Sequence, residues 1–238
     1  MSAGPGGQAR SEVRAGFGDS LPLGLALTPV GLAFGYLAHT VGLSWWLAAL
    51  MSAIVYAGPS QFIAMGLVGT GAAIPAIVAT TFVTNLRYSL FAASLARHMR
   101  DSPRGRLPFL SHTIADGSYA VTMEHALERP ERPRKDQYLL GSFLVSFAAW
   151  VGGTILGALA GGVVPGTIAF ALGFATPAVF IAFLVPYIRD RVAAIVMLSA
   201  GIGTVAGNEY LPAGAGPLLA IVGASILGGA LLSRPTPR

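Results

Sequence analysis

Apolar residues follow one another along this chain in runs of about 20 positions, with short polar or glycine-rich breaks between the runs. Such a run is as long as a helix needs to be to cross the hydrocarbon core of a bilayer, about 30 Å at 1.5 Å per residue. The runs cover roughly residues 17–38, 44–68, 72–96, 138–159, 167–187, 192–206 and 216–232. The pattern therefore predicts an all-α, polytopic transmembrane helical bundle with about seven spans.

One long segment, residues 99–136, interrupts this pattern because it is polar and has basic residues clustered at both ends. Its middle part, residues 107–127, is semi-apolar but contains His112, Asp116, Glu124 and His125. We predict an interfacial or re-entrant helix here, which gives seven spans, and a full crossing, which gives eight, is the alternative. Cytoplasmic loops carry an excess of Lys and Arg, so seven spans place the N-terminus outside and the C-terminus inside, whereas eight place both ends inside.

A short motif occurs twice in the chain. Pro59 is followed by Phe62-Ile63-Ala64, and Pro177, 118 positions later, is followed by Phe180-Ile181-Ala182. Because other residues match at the same offset, the sequence indicates an internal duplication, with chance similarity in an Ala/Val/Ile-rich chain as the alternative. With seven spans, three crossings separate the copies, and the repeats are then inverted, a construction that places the binding site of secondary transporters near the bilayer midplane.

The duplication predicts a permease domain over residues 17–232. This domain consists of a first repeat (about 17–98), the polar segment (99–136), a second repeat (about 137–209) and an extra span (216–232). Residues 1–16 are rich in Gly and lack apolar periodicity, so we expect a disordered N-terminal tail there. Residues 233–238 form a second tail.

Composition supports a lipid environment and excludes several functional classes. Hydrophobic residues make up 54% of the chain and charged residues 11%, whereas a soluble domain has about 25% charged residues. The net charge of +5 is explained by basic loops and does not indicate nucleic-acid binding. Cys is absent and the His residues lack the spacing of metal ligands, so neither a metal nor a cofactor is predicted.

The first candidate site is the motif that begins at Tyr56 and includes Gly58-Pro59, in the middle of the second span. A Pro in mid-span breaks the helix, and such a break is tolerated in lipid only where it faces protein or a cavity. The half-helix that starts near Pro59 would direct free N–H groups at an anion such as a carboxylate, whereas a simple packing kink is the alternative. The second copy lacks the polar pair Ser60-Gln61, so we expect the first copy to hold more of the ligand. The predicted binding residues are Tyr56, Gly58, Pro59, Ser60, Gln61, Phe62, Pro177 and Phe180.

The second candidate site is Asn85-Leu86-Arg87-Tyr88, deep in the third span. A charge near the centre of a span costs at least ~2.5 kcal/mol on insertion scales, so Arg87 is expected to face a cavity or a partner, and snorkelling to the interface is the alternative. The candidate partners are Asp116, Glu209 and a substrate carboxylate held bidentately. We predict Asn85, Arg87 and Tyr88 as substrate-binding residues, and Asp116 and Glu209 as candidates for proton coupling. The alternative for Asp116 is a solvated position on an interfacial helix.

Together, these motifs resemble the AzlC family, the large subunit of branched-chain amino acid exporters of the LIV-E type. The resemblance runs from about residue 20 to residue 232 and is carried by Leu21–Gly24, Pro29–Gly35, Ala57–Phe62, Asn85–Tyr88, Asp116 with Tyr119-Ala120, and Pro177–Phe180. The family's usual acidic pair is here Ala115-Asp116-Gly117, so the second carboxylate is missing. The resemblance implies export of branched-chain or related hydrophobic amino acids across the bacterial inner membrane, driven by the proton gradient and assisted by a small AzlD-type membrane subunit. It implies no enzymatic activity.

Two rival functions stay open at this level. An intramembrane serine hydrolase or protease would use Ser60 as its nucleophile, but Pro59 precedes that serine, no Gly-x-Ser-Gly turn is present and no His lies in mid-span to act as the base. The other rival is a structural membrane subunit whose partner carries out the transport. Export measured for this chain alone and with its partner separates those two roles.

Overall fold

The computed structural model describes residues 5–99, 102–162, 181, 185, 188, 190–211 and 215–232. These residues form helices joined by short turns, including a 3-10 turn at Arg104–Arg106, and they contain no strand. In chain order the α-helices are α1 (Pro5–Asp19), α2 (Leu21–Thr40), α3 (Trp45–Val55), α4 (Gly58–Gly69), α5 (Ile74–Asn85), α6 (Arg87–Ala96), α7 (Leu107–His112), α8 (Asp116–Glu128), α9 (Lys135–Ala160), α10 (Arg191–Tyr210) and α11 (Ala215–Leu232). The predicted all-α membrane bundle is confirmed.

Four helices in the described part of the chain, α2, α9, α10 and α11, are long and apolar enough to cross a membrane. The predicted spans at 44–68 and 72–96 are each divided into two shorter helices, α3 with α4 and α5 with α6. The broken helix predicted from Gly58-Pro59 is therefore present, and a second break follows Asn85. The predicted span at 167–187 lies outside the described residues except for isolated positions.

The N-terminal segment differs from the prediction. Residues 5–19 form α1, whereas the sequence predicted a disordered tail as far as residue 16. Gly16 and Gly141 explain the difference, because they bring α1 and α9 so close that a Cβ on either would overlap the backbone of the other helix. The side chain of Glu12 is also buried, at 2% exposed. Most helical stability in proteins comes from such tertiary packing, which local composition and periodicity do not report.

Helices α2 and α9 form the main pair of the fold, and glycines on both helices bring their backbones together. Small residues allow this close approach between membrane helices, and Gly31 and Gly35 provide it on α2. The contacts run in the same order along both helices: Ser20 with Ser142, Gly24 with Val145, Gly31 with Gly153, Gly35 with Thr154 and His39 with Gly161. The two helices are therefore parallel.

The parallel pair corrects the predicted inverted repeat. At the 118-residue offset of the two proline motifs, residues 21–40 of α2 correspond to residues 139–158 of α9, so these counterparts run in the same direction. Parallel helices start on the same side of the membrane, so an odd number of the segments between them, 45–69, 74–96 and 107–128, must cross. If both broken segments cross, residues 107–128 cross as well. The inverted orientation rested on seven spans, and the structure favours the eight-span alternative.

Eight spans place both ends of the chain on the cytoplasmic side, and the absence of Cys makes this straightforward to test. In the single-cysteine variants Ser11→Cys and Ser233→Cys, we expect a membrane-impermeant maleimide to label both positions only after the cells are permeabilised. The control is Thr40→Cys, at the exposed far end of α2, which should be labelled in intact cells. Labelling of Ser11→Cys in intact cells would instead support seven spans.

The chain divides into two compact units, residues 1–58 with 86–173 and residues 59–85 with 174–238. The first unit contains α1 to α3 and α6 to α9. In the second unit, α10 and α11 pack as an antiparallel pair, with Gly207 against Gly216 and Gly203 against Ala220, and α5 contacts α11. The predicted extra span at 216–232 corresponds to α11. Arg87, which the sequence placed deep in a span, and its candidate partner Asp116 both belong to the first unit.

Candidate functional site

Three helix breaks lie in the first unit. α3 ends at Val55 before α4 starts at Gly58, Leu86 separates α5 from α6, and residues 113–115 separate α7 from α8. Non-helical backbone at membrane depth is tolerated only inside protein or beside a cavity. Each break ends at a residue that the sequence analysis singled out, namely Gly58, Arg87 or Asp116.

Tyr56 forms the first break. Its φ of 43° lies in the left-handed region, a conformation that costs a non-glycine residue about 1–3 kcal/mol. The side chain is 5% exposed and packs against Phe143 and Phe147, with ring centroids 5.4 and 5.3 Å away. The hydroxyl interacts with the Ser146 side chain. Burial of the ring therefore holds the strained break in place.

An ion pair joins the other two breaks. Nη2 of Arg87 donates to Oδ2 of Asp116 at 2.9 Å, and the Tyr88 hydroxyl donates to the same oxygen at 3.0 Å. Nη2 also donates to the Tyr88 hydroxyl at 3.1 Å, and the guanidinium carbon lies 4.9 Å from the Tyr88 ring centroid, a cation–π contact. Of the two carboxylates that the sequence offered as partners, Asp116 is the one that pairs with Arg87. Glu209 is exposed on α10.

The ion pair is not sealed in the interior. The side chains of Arg87 and Asp116 are 32% and 29% exposed. The hydrogen bonds described above all use Oδ2 and Nη2, while the buried Nε of Arg87 has no hydrogen-bond partner among the described residues. Ion pairs that reach solvent contribute only about 0–1 kcal/mol. A ligand that carries both charges can therefore replace the two partners at small cost.

Helix geometry explains why these two charges meet. Asp116 is the first residue of α8, where the helix dipole stabilises a carboxylate by about 0.3–1 kcal/mol. The Ser118 hydroxyl accepts from the Ala115 N–H at 2.9 Å and donates to the Thr113 carbonyl at 2.7 Å, which shapes the turn before Asp116. Arg87 starts α6, an unfavourable place for a cation. The carboxylate of Asp116 offsets that charge.

His112 contributes to the site although the sequence analysis noted it only as a polar residue. Its Nε2 atom lies 3.1 Å from the Ala53 carbonyl, one of the last carbonyls of α3, which lack partners within the helix. Its ring lies 6.2 Å from the rings of both Tyr56 and Phe143. Two features of the sequence could have indicated this role of His112. It lies four positions before Asp116, and Phe143 and Phe147 form an aromatic pair at i and i+4.

The other predicted binding residues are distributed over both units. Gly58 lies against Trp150, with its Cβ position 3.2 Å from the indole. Residues 59–62 and Asn85 belong to the second unit, in which Ser60 and Gln61 are fully buried, Phe62 is 3% exposed, and each of the three makes a further interaction. Pro177 and Phe180 lie outside the described residues. The binding roles of all these residues stay predictions.

The second unit contains a cavity of about 640 Å³ between α4, α10 and α11. No charged side chain lines it, and the Thr204 hydroxyl there is bonded to the Ala200 carbonyl of its own helix. Within the described ranges, no group of three or more metal-ligating side chains occurs. The Arg87–Asp116 pair is therefore the better candidate for binding a ligand with charged groups.

Several known proteins are similar to this chain. Residues 22–164 match the family described as AzlC protein. The chain is 30% identical over 193 residues to the inner membrane protein YgaZ of Escherichia coli K12, covering 79% of this chain and 78% of that protein. It is 34% identical over 181 residues to an uncharacterized membrane protein of Archaeoglobus fulgidus, covering 75% and 77%. It is 24% identical over 224 residues to the branched-chain amino acid transport protein AzlC of Bacillus subtilis, covering 91% and 85%. No solved structure matches it.

Proposed function

This chain belongs to the AzlC family, and we propose that it is a permease that exports branched-chain or related hydrophobic amino acids. The predicted location in the inner (plasma) membrane is confirmed, since the relatives are named inner membrane or membrane proteins and the described structure has span-length helices. The family is associated with transport and is not an enzyme family. The name of the Bacillus subtilis relative supports the substrate class.

The observation that carries this proposal is the ion pair between Arg87 and Asp116 at two helix breaks. A free amino acid is a zwitterion, so its carboxylate can take the place of Asp116 on Arg87 while its ammonium takes the place of Arg87 on Asp116. Hydrogen bonds between charged groups are roughly twice as strong as neutral ones. The Tyr88 hydroxyl, which contacts both residues, can follow either partner. Substrate binding then keeps both charges of the protein paired.

Aromatic side chains beside the pair offer a surface for an apolar substrate side chain. Tyr56, Phe143 and Phe147 pack together, and the Tyr56 ring lies 6.2 Å from the ring of His112, four residues before Asp116. Full burial of a Val, Leu or Ile side chain contributes about 1.5–3 kcal/mol. This is enough to favour branched-chain over polar amino acids. Phe62 and Phe180 remain predicted contributors from the two copies of the motif.

Proton coupling follows from the chemistry of Asp116. A proton on this carboxylate removes its charge and leaves the substrate ammonium without a partner, so proton and substrate compete for one site. Protonation on the outer side then releases the amino acid there, and deprotonation on the cytoplasmic side prepares the site for the next one. The proposal includes a small AzlD-type membrane subunit. The surface available to this subunit includes α10, because only 6% of its apolar 18-residue stretch is buried within this chain.

Proteoliposomes test the proposed function. We expect the chain, reconstituted with its small subunit, to exchange labelled leucine across the liposome membrane. A proton gradient should drive leucine accumulation, with protons moving in the direction opposite to leucine. Valine, isoleucine and methionine should compete, and lysine should not. Reconstitution of each subunit alone tests the alternative that this chain is only a structural subunit. Transport by the small subunit without this chain would support that alternative. Absence of leucine exchange in the complete complex would contradict the proposal.

The serine hydrolase alternative has its own test. Ser60 is fully buried, and a nucleophile needs a neighbouring base to be activated. We expect a fluorophosphonate probe to leave Ser60 unlabelled in the folded protein. Labelling that is lost in the variant Ser60→Ala would favour the hydrolase.

A further inference from the structure

A second group of buried ionisable residues lies outside the Arg87–Asp116 site. The carboxylate of Glu12 is 2% exposed; its Oε2 lies 3.2 Å from Nε2 of His125, and its Oε1 accepts from Nη1 of Arg132 at 3.1 Å. The His125 ring stacks on Tyr138 with centroids 3.8 Å apart, and the Tyr138 hydroxyl donates to Asp19 at 2.9 Å. Burying charges of this kind costs several kcal/mol per ion before pairing is counted, so a role beyond packing is worth testing.

A row of buried polar side chains lies between the Arg87–Asp116 site and the surface beside Glu12, and we call it the polar seam. It occupies one face of α8, at i, i+4 and i+7, and one face of α9, at i, i+4 and i+8, where the two helices pack together, and it also includes Ser20, which bonds to Ser142, and Glu12, which contacts His125. Every member is 5% exposed or less: Ser118, Thr122, His125, Tyr138, Ser142, Ser146, Ser20 and Glu12. Buried ionisable side chains in membrane helices mark ion and proton pathways, and the seam contains such a pair, Glu12 and His125.

The two ends of the polar seam are defined by contacts. At the upper end, the Ser118 hydroxyl bonds to the backbone directly before Asp116, and Ser146 interacts with Tyr56. In the middle, Ser20 donates to Ser142 at 2.7 Å. At the lower end, Arg132 contacts Glu12 and is 45% exposed, so the seam reaches the surface beside the basic cluster of residues 129–135, which lies on the cytoplasmic side in the eight-span arrangement.

Thr122 occupies the middle of the α8 face. Its side chain is fully buried, and its Oγ1 atom has no hydrogen-bond partner within the described part of the chain. An unpaired buried hydroxyl costs about 1–3 kcal/mol, so packing alone gives no reason for a Thr here rather than a Val. A hydroxyl both donates and accepts. Thr122 is therefore suited to pass a proton along the seam.

We infer that the polar seam carries protons between Asp116 and the cytoplasmic solution, with the His125–Glu12 pair as the last exchange group. The inference rests on the proton-coupled transport proposed above. In each cycle Asp116 loses one proton to the seam, each hydroxyl accepts one proton and donates its own, and His125 accepts one proton and gives one from Nε2 to Glu12, which releases it to solution. The net change is one proton transferred. The ionisable groups that act on His125 are Glu12 and Asp19 of α1, Arg129 of α8, Arg132 of the following turn and Tyr138 of α9.

The test uses the full chain with its small subunit in liposomes and two readouts. The first is the rate at which the infrared carboxyl band of Asp116 changes after a pH jump on the cytoplasmic side. This band is assigned to Asp116 by its loss in the variant Asp116→Asn. The second compares proton-driven leucine transport with leucine counterflow, which needs no net proton transfer. The variants are Thr122→Val and His125→Gln. The control is Thr154→Val, an equally buried Thr on α9 that bonds to Ser52 instead of lining the seam.

We expect both seam variants to slow the Asp116 band and proton-driven transport by about 10²-fold, the lower end of what a positioned proton-transfer group contributes. Leucine counterflow and the Thr154→Val control should match the wild type. The inference is overturned if the band responds equally fast in both seam variants, if the control is slowed as much, or if wild-type Asp116 does not respond. A wild-type complex that exchanges no amino acid but shows the predicted slowing would remove the proposed function and leave the seam standing.

Discussion

The variant Arg87→Gln is expected to lose leucine transport while it stays folded in the membrane. The substitution keeps a polar side chain that can donate hydrogen bonds, although a shorter one, and it removes the cation that pairs with Asp116 at 2.9 Å and would hold the substrate carboxylate. Loss of one partner from a buried, hydrogen-bonded charge pair, such as Arg87 would form with the substrate carboxylate, costs about 2–5 kcal/mol, which corresponds to a reduction of about 30-fold to several thousand-fold. Counterflow of labelled leucine measures this effect.

Two further variants separate binding from folding in this experiment. Arg97→Gln removes an exposed cation at the end of the same helix, α6, and should transport like the wild type. The double variant Arg87→Gln with Asp116→Asn removes both charges, so it should recover any lost protein yield without recovering transport. Leucine counterflow within about threefold of the wild type in Arg87→Gln, a difference worth less than 1 kcal/mol, would remove Arg87 from the binding site.

The variant Gly157→Ala is expected to be among the most destabilising single-methyl additions in the main helix pair. A Cβ at Gly157 would overlap the backbone of Leu32 on α2, and a backbone cannot move aside as a flexible side chain can. Overpacking of a well-packed interior costs about 1–3 kcal/mol and occasionally more, and we expect the upper end of that range here. Thermal unfolding of the purified protein in detergent, followed by tryptophan fluorescence, measures the loss.

A neighbouring glycine supplies the matched control for this variant. A Cβ at Gly152 would have nothing within 4 Å, so Gly152→Ala should gain helix propensity, up to about 1 kcal/mol, at no steric cost. Gly35→Ala tests the same helix pair from α2. Its Cβ would overlap the backbone of α9 at Thr154, so this variant should behave like Gly157→Ala. Equal unfolding temperatures for Gly152→Ala and Gly157→Ala would show that the two backbones are not in contact.

The features that the sequence predicted well are those with a local physical signal. Apolar runs of span length identify α2, α9 and α11, because lipid selects apolar side chains along a whole helix. Pro59 marks the first break, because proline cannot continue the hydrogen bonds of a helix. Arg87 stands out because a charge in a span is costly. The sequence therefore predicted a partner for Arg87 without identifying it.

The features that the sequence did not predict depend on which distant residues meet. The choice of Asp116 over Glu209 as the partner of Arg87 is set by the fold, since both carboxylates satisfied the local argument. The helix α1 is stabilised by contact with α9 at Gly16 and Gly141, which composition cannot reveal. The parallel direction of α2 and α9 depends on whether residues 107–128 cross, and their mixed polarity left that open. This same polarity is explained by the polar seam, which faces protein instead of lipid.

The central claim is that the Arg87–Asp116 pair recognises both charges of an amino acid. The most direct measurement is calorimetric binding of three ligands to the purified complex: valine, isobutylamine, which lacks the carboxylate, and isovalerate, which lacks the ammonium. Valine is predicted to bind, and each analogue should bind at least about 30-fold more weakly, since each leaves one protein charge unpaired, at a cost of about 2 kcal/mol or more. Binding of either analogue as tightly as valine would contradict the claim.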